Sequence, residues 1–123
     1  MLEYSNTWED SMAKSNFDMT LYNLQAEISK TLANPLRLAI LHLLKDGEKT
    51  VNELAEIVGA GQSNVSQHLA LMRQRQIVKT RKVGSTVYYR VSSPKISQAC
   101  DMVREVLIEQ LSQKQEMAKT FTE

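Results

Sequence analysis

Cysteine, long apolar runs and, across one wide window, acidic side chains are scarce in this sequence, and each scarcity excludes something. A single cysteine, Cys100, cannot close an intramolecular disulfide, which fits a reducing compartment. No apolar run approaches the ~18–20 residues needed to cross a bilayer, so no membrane span or membrane partner is expected. The stretch Met1 to Asn6 has no basic region leading into an apolar core. No secretory signal is therefore expected, and the chain reads as cytoplasmic. No nucleophile–base pair, glycine-rich phosphate loop or metal-ligand cluster stands out. The expectation is a protein that is not an enzyme and needs no metal or other cofactor.

Acidic residues are missing where basic ones gather. From Ile57 to Cys100 run 44 residues without Asp or Glu, carrying Arg73, Arg75, Lys79, Arg81, Lys82, Arg90 and Lys95. The rest of the chain holds eight basic against fourteen acidic residues, a net −6 against +7 inside the window. Concentrated positive charge suits a polyanion, because neutralising phosphates releases condensed counterions. The 123 residues are 42% hydrophobic and 24% charged, values that fit one folded domain with one core rather than a disordered chain.

Residues 1–15 are mixed and polar and are expected to form a flexible N-terminal arm or a strap, leaving 16–119 as the domain. Phe17, Leu21, Leu24, Ile28 and Leu32 form a helical stripe, with Ser15 or Asn16 as the expected cap and Asp18 in the first turn. Asn34-Pro35 predicts a stop and a restart into a short apolar helix over Leu36 to Lys45, closed by Gly47. Thr50-Val51-Asn52-Glu53 is a capping box for a helix carrying Leu54, Ile57 and Val58. Gly59-Ala60-Gly61 ends it, and a further helix over about 62–74 buries Val65, Leu69 and Met72. Two short helices across a glycine turn make a helix-turn-helix pattern.

Two β-rich runs follow, Val78 to Val83 and Thr86 to Val91, separated by Gly84-Ser85 as in a two-residue hairpin. After Pro94 a helix over about 94–119 shows the stripe Ile96, Cys100, Val103, Leu107 and Leu111. The expected fold is mainly α with a small β-hairpin, a winged helix-turn-helix. The first and last helices each carry more apolar surface than the small middle can cover. A homodimer through Leu21, Leu24, Ile28, Cys100, Val103, Leu107 and Leu111 is expected, against both stripes facing the monomer core.

With Val65, Leu69 and Met72 inward, the helix over 62–74 displays Gln62, Ser63, Asn64, Ser66 and Gln67, with Arg73 at its edge. Gln and Asn can bond adenine in the major groove and Ser adapts to several bases. The helix start offers backbone donors to a phosphate. On the wing at 78–91, Lys79, Arg81 and Lys82, with Ser85 and Thr86 at the tip, are expected on backbone or minor groove. Strand alternation puts Lys79 and Arg81 on one face and Thr80 and Lys82 on the other. It also sends Tyr88 and Tyr89 opposite ways without telling which is exposed. His68 is expected to be a buried, hydrogen-bonded residue rather than a base contact.

The order of these motifs resembles the ArsR-type winged-helix repressors. Leu32 to Leu41 is similar to their "LA-(D/N)-P-x-R-L-x-I-L" stretch, Gln62 to Leu69 to "Q-S-x-V-S-x-H-L", and Gly84 to Arg90 to the "G-x-x-V-Y-Y" wing. The resemblance spans roughly Phe17 to Leu111. It implies a homodimeric, sequence-specific transcription factor, usually a repressor of a palindromic operator released by an inducer. Metal-sensing members carry "E-L-C-x-C", where this chain has Ala55 and Ile57. Others ligate zinc from the last helix through Asp, His and Glu, yet no histidine follows Pro94, and carboxylates alone suit zinc poorly. Cys100 is the remaining thiol or redox trigger, against its reading as a small apolar residue. The rival from another class is a winged-helix protein–protein adaptor meeting an acidic partner.

Overall fold

The computed structural model describes residues 16–114 and 120–121. Its elements run α1 (Thr20–Leu32), α2 (Pro35–Leu44), α3 (Val51–Val58), α4 (Gln62–Gln74), β1 (Val78–Val83), β2 (Thr86–Val91) and α5 (Pro94–Ser112). The expected arm at 1–15 and the stretch 115–119 lie outside the described residues.

Local chemistry sets most of these boundaries. Asn34 Oδ1 accepts from the amides of Leu36 and Arg37 at 3.0 and 3.1 Å, and Pro35 opens α2 where no amide is needed. Thr50 and Glu53 cap each other reciprocally: Glu53 N donates to Thr50 Oγ1 at 3.2 Å and Thr50 N to Glu53 Oε1 at 2.8 Å. Gly59, at φ +73°, then ends α3 in the left-handed region, where a β-carbon would be strained.

Two helix ends differ from expectation. α1 begins at Thr20, not near Phe17, because Asp18 Oδ1 accepts from Thr20 N at 2.9 Å and so turns the chain just outside the helix. Asn16 therefore does not cap it, and Phe17 stacks on Tyr22 with ring centroids 5.3 Å apart. At the other end α5 stops at Ser112, with Gln113 as its C-cap.

The hairpin pairs Val78 with Val91 through to Val83 with Thr86, and Gly84 supplies the positive φ that its tight turn requires. Lys49 adds a short third rung: Tyr89 N donates to Lys49 O at 2.8 Å and Lys49 N to Tyr89 O at 3.1 Å.

The core is built from α2 (Ile40, Leu41, Leu44), α3 (Leu54, Ala55), α4 (Val65, Leu69, Met72) and the entry to the wing (Ile77, Val78). Tyr89 and Val91 pack on it from β2, and Ile96 from the start of α5. Tyr89 is thus the inward tyrosine and Tyr88 the outward one. Beyond Ile96, α5 buries no residue, and α1 buries only Thr31. Leu21, Leu24, Ile28, Met102, Val103, Val106 and Leu107 are all exposed.

Candidate DNA interface

α4 turns two faces in opposite directions. Val65, Leu69 and Met72 are fully buried, while Gln62, Ser63, Asn64, Ser66 and Gln67 are exposed. Gly61 caps the helix without a side-chain acceptor, so the first amides of α4 remain available to an outside oxygen. No acidic residue lies on α4, and Arg73 in its last turn is exposed. A polar, uncharged helix start flanked by cations is what a base-reading surface requires.

His68 faces the other way, half-buried toward α2. Arg37 Nε donates to its Nδ1 at 3.0 Å, and Arg37 Nη1 donates to the carbonyl of Thr31 at 3.0 Å. One guanidinium therefore joins α4, the start of α2 and the end of α1. Arg75 makes a second link to α1 through Glu27, at 3.1 Å.

On the wing, register sorts the cations. The face toward the core carries Val78, Thr80, Tyr89 and Val91, and the outer face carries Lys79, Arg81, Tyr88 and Arg90. Lys82 continues the inner row to the exposed tip with Ser85 and Thr86. Arg81 is not free on this ridge. Its Nη2 donates to Glu48 Oε1 at 2.7 Å and its Nε to both carboxylate oxygens at 3.0 and 3.1 Å. The same guanidinium lies 5.1 Å from the Tyr88 ring, within reach of a cation–π interaction. Those Arg81 hydrogen bonds hold the Glu48 carboxyl below its ordinary value. Arg90 Nη1 reaches Glu48 Oε2 at 3.9 Å. The acid-free window of sequence is thus met in space by two carboxylates from outside it, Glu48 at the wing and Glu27 at Arg75.

The residues expected to form the dimer surface fall into two groups. Leu21, Leu24, Ile28, Val103 and Leu107 are exposed, whereas Cys100 and Leu111 are half-buried. Burial, with the nearby Asp101 carboxylate as a lesser cause, pushes the Cys100 thiol up. That favours the protonated, unreactive form. Among the described residues no three His, Cys, Asp or Glu side chains gather as a metal-binding set.

Comparison with known proteins agrees with this geometry. A sequence model of the bacterial regulatory proteins of the arsR family matches residues 34–80. The HTH-type transcriptional regulator Rv0081 of Mycobacterium tuberculosis is 40% identical over 93 residues, which are 75% of this chain and 82% of that protein. The chain belongs to the ArsR family. It is a DNA-binding transcriptional regulator with a winged helix-turn-helix fold, and the family is one of regulators rather than enzymes. The crystal structure of Rv0081 superposes with a TM-score of 0.70 at 38% identity, covering 79% of this chain and 98% of that one. The homodimeric winged helix-turn-helix DNA-binding domain of Mb0332 from Mycobacterium bovis superposes at 0.71 with 30% identity, covering 81% and 93%. HlyU of Vibrio cholerae, named a transcriptional activator, superposes at 0.66 with 34% identity, covering 72% and 97%. Among the described residues of this ArsR-family chain, no helix is long and apolar enough to cross a membrane.

Sequence reasoning missed Glu48, Arg37 and Arg90. The two-residue turn fixes register, so the Arg81–Tyr88 and Lys79–Arg90 pairs were readable from the hairpin alone. Nothing in one dimension brings Glu48 to Arg81 or Arg37 to His68.

Proposed function

We propose that this ArsR-family regulator is a cytoplasmic, homodimeric repressor that binds a roughly palindromic operator. Gln62, Ser63, Asn64, Ser66 and Gln67 read bases in the major groove. Arg73, Lys79, Lys82, Ser85 and Thr86 hold backbone and minor groove, with Arg81 serving chiefly to seat the wing. The observation that carries this is the exposed, uncharged face at the start of α4, which is backed by a fully buried opposite face.

Dimerisation through α1 and α5 is supported by the apolar residues that the monomer core leaves uncovered on both helices. Two-fold readers place two such helices about one DNA turn apart. Repression follows from the resemblance to ArsR-type repressors, whereas HlyU carries an activator's name. The trigger is proposed to be other than a metal held at Ala55 and Ile57, since neither side chain ligates metals.

The test is a gel shift on the DNA upstream of the protein's own coding sequence, titrated with salt and followed by footprinting and a reporter assay. The expected result is a two-fold symmetric footprint, steep salt dependence and lower reporter output. Indifference to DNA sequence, with capture of an acidic protein instead, would favour the adaptor reading.

A further inference from the structure

Gln76 is the one non-glycine residue among those described with a positive φ, at +62°. It follows the α4 C-cap Arg75 in a Schellman turn, with Ile77 N donating to Met72 O at 2.8 Å and Gln76 N to Arg73 O at 3.0 Å. Glycine suits such a position and a larger L residue is strained there, so the amide side chain is kept at a cost.

Its surroundings give the side chain a use. Gln76 lines an open hollow of about 530 Å³ between the end of α4 and the base of the wing, together with Arg73, Lys79, Thr80, Arg90 and Ser92. No acid lines it. Lys79 and Arg90 sit directly opposite in the hairpin register, an arrangement in which like charges repel. The Arg73 and Lys79 side chains have no hydrogen-bond or ion-pair partner among the described residues, and Arg90 has only its long contact to Glu48. Ser92 Oγ donates to Gln76 O at 2.8 Å, which pins the turn against the strand that leaves the wing.

We propose that this hollow is a cradle for one phosphate of the DNA backbone, an inference that rests on the DNA-binding reading above. Arg73, Lys79 and Arg90 supply the charge, and the Gln76 amide supplies a neutral donor. One phosphate strand separates a major groove from the minor groove beside it. A protein with α4 in one groove and the wing in the other must span that strand with the surface joining the two, and the hollow is that surface. Arg90 and Gln76 thereby join the interface.

The test uses the full chain and measures affinity for operator and random DNA across a salt series, alongside melting temperature. Lys79→Gln and Arg90→Gln should each lower affinity for both DNAs alike and flatten the log–log salt slope, by about 0.9 when the two are combined, the share of one phosphate. Gln76→Gly should raise the melting temperature by relieving strain, yet weaken DNA binding several-fold with the slope unchanged. Wild-type slopes in both charge variants, or full affinity in Gln76→Gly, would overturn the cradle. If Gln67→Ala still lowered operator preference in that case, the DNA-reading face would stand without it. Inorganic phosphate that shifts the Gln76 and Ser92 amide resonances, with DNA slopes unaltered by the variants, would make the hollow a free-anion site and overturn the DNA assignment.

Discussion

Glu48 and Arg81, 33 positions apart in sequence, meet through three hydrogen bonds of 2.7 to 3.1 Å that tie the outer face of the wing to the loop before α3. The pair makes the wing a supported element. On the proposed DNA-binding role of the wing, it makes Glu48 a support for that surface, which sets two expectations against each other. Simple electrostatics expects removal of Glu48 to strengthen binding to a polyanion, whereas a seated wing expects the reverse.

Glu48→Ala is therefore expected to weaken operator binding about two- to five-fold, the modest effect of a half-exposed ion pair. Arg81→Ala should do the same and leave the salt slope near wild type. A charge-swapped double variant should recover part of the loss. Tighter binding by Glu48→Ala, or a slope reduced by about one unit in Arg81→Ala, would make Arg81 a direct phosphate contact instead.

Arg37 carries a prediction about specificity. Its guanidinium holds His68 of α4 and the Thr31 carbonyl together, so truncation leaves two acceptors without a partner. Arg37→Ala should cost about 1–3 kcal/mol in denaturant unfolding. It should also lower the operator-to-random affinity ratio, because the reading helix loses its brace. His68→Gln retains an acceptor and should keep that ratio, whereas His68→Leu should not. The same ratio in all three variants would count against the brace.

Acid stability follows from two carboxylates. Hydrogen bonds from Arg81 hold Glu48 below its ordinary 4.5, and those from Arg104 and then Lys45 hold Asp101 below 3.8. A group with a depressed folded pKa stabilises fully above its unfolded value, and that share is lost as pH falls through the folded value. Stability should thus be flat near neutrality with respect to these groups and drop below about pH 4.5. Glu48→Gln and Asp101→Asn should each be less stable at pH 7 and show a shallower acid decline in thermal scans. Parallel declines in wild type and variants would refute this.

The exposed apolar faces make the oligomer testable. Leu24→Glu or Leu107→Glu should convert a dimer to a monomer by light scattering. The buried core should be retained, because Ile40, Leu54, Val65 and Leu69 lie elsewhere. Monomers should lose operator affinity far more than they lose helix content by circular dichroism.

Cys100 should behave as an inert thiol. Burial holds it in the protonated form, so alkylation by iodoacetamide at pH 7.5 should be slower than that of a free cysteine. Cys100→Ala should bind operator as wild type does in the presence of oxidants. A sensor role would require the opposite result.

Much of the architecture was legible because its signals are local. Asn34-Pro35, the Thr50/Glu53 box and Gly59 act within a few residues, so α2, α3 and α4 begin and end close to where their caps predict. α1 was misplaced by three residues because Asp18 competed locally for the Thr20 amide, an outcome that helical periodicity cannot weigh. The exposed polar face of α4 was legible from the buried spacing of Val65, Leu69 and Met72. Which tyrosine faces out was not, since alternation separates Tyr88 from Tyr89 but does not say which side holds the core.

Residue order by itself determined the elements, the hairpin register and the family, since caps, turns and apolar spacing depend on neighbours in the chain. Only the tertiary structure decided that Glu48 occupies Arg81, that Arg37 is the partner of His68, and that Gln76 shares a hollow with three cations. The longest of these contacts join residues 31 and 33 positions apart. Their energies depend on distance and exposure, which arise only when the helices and the wing close on one core.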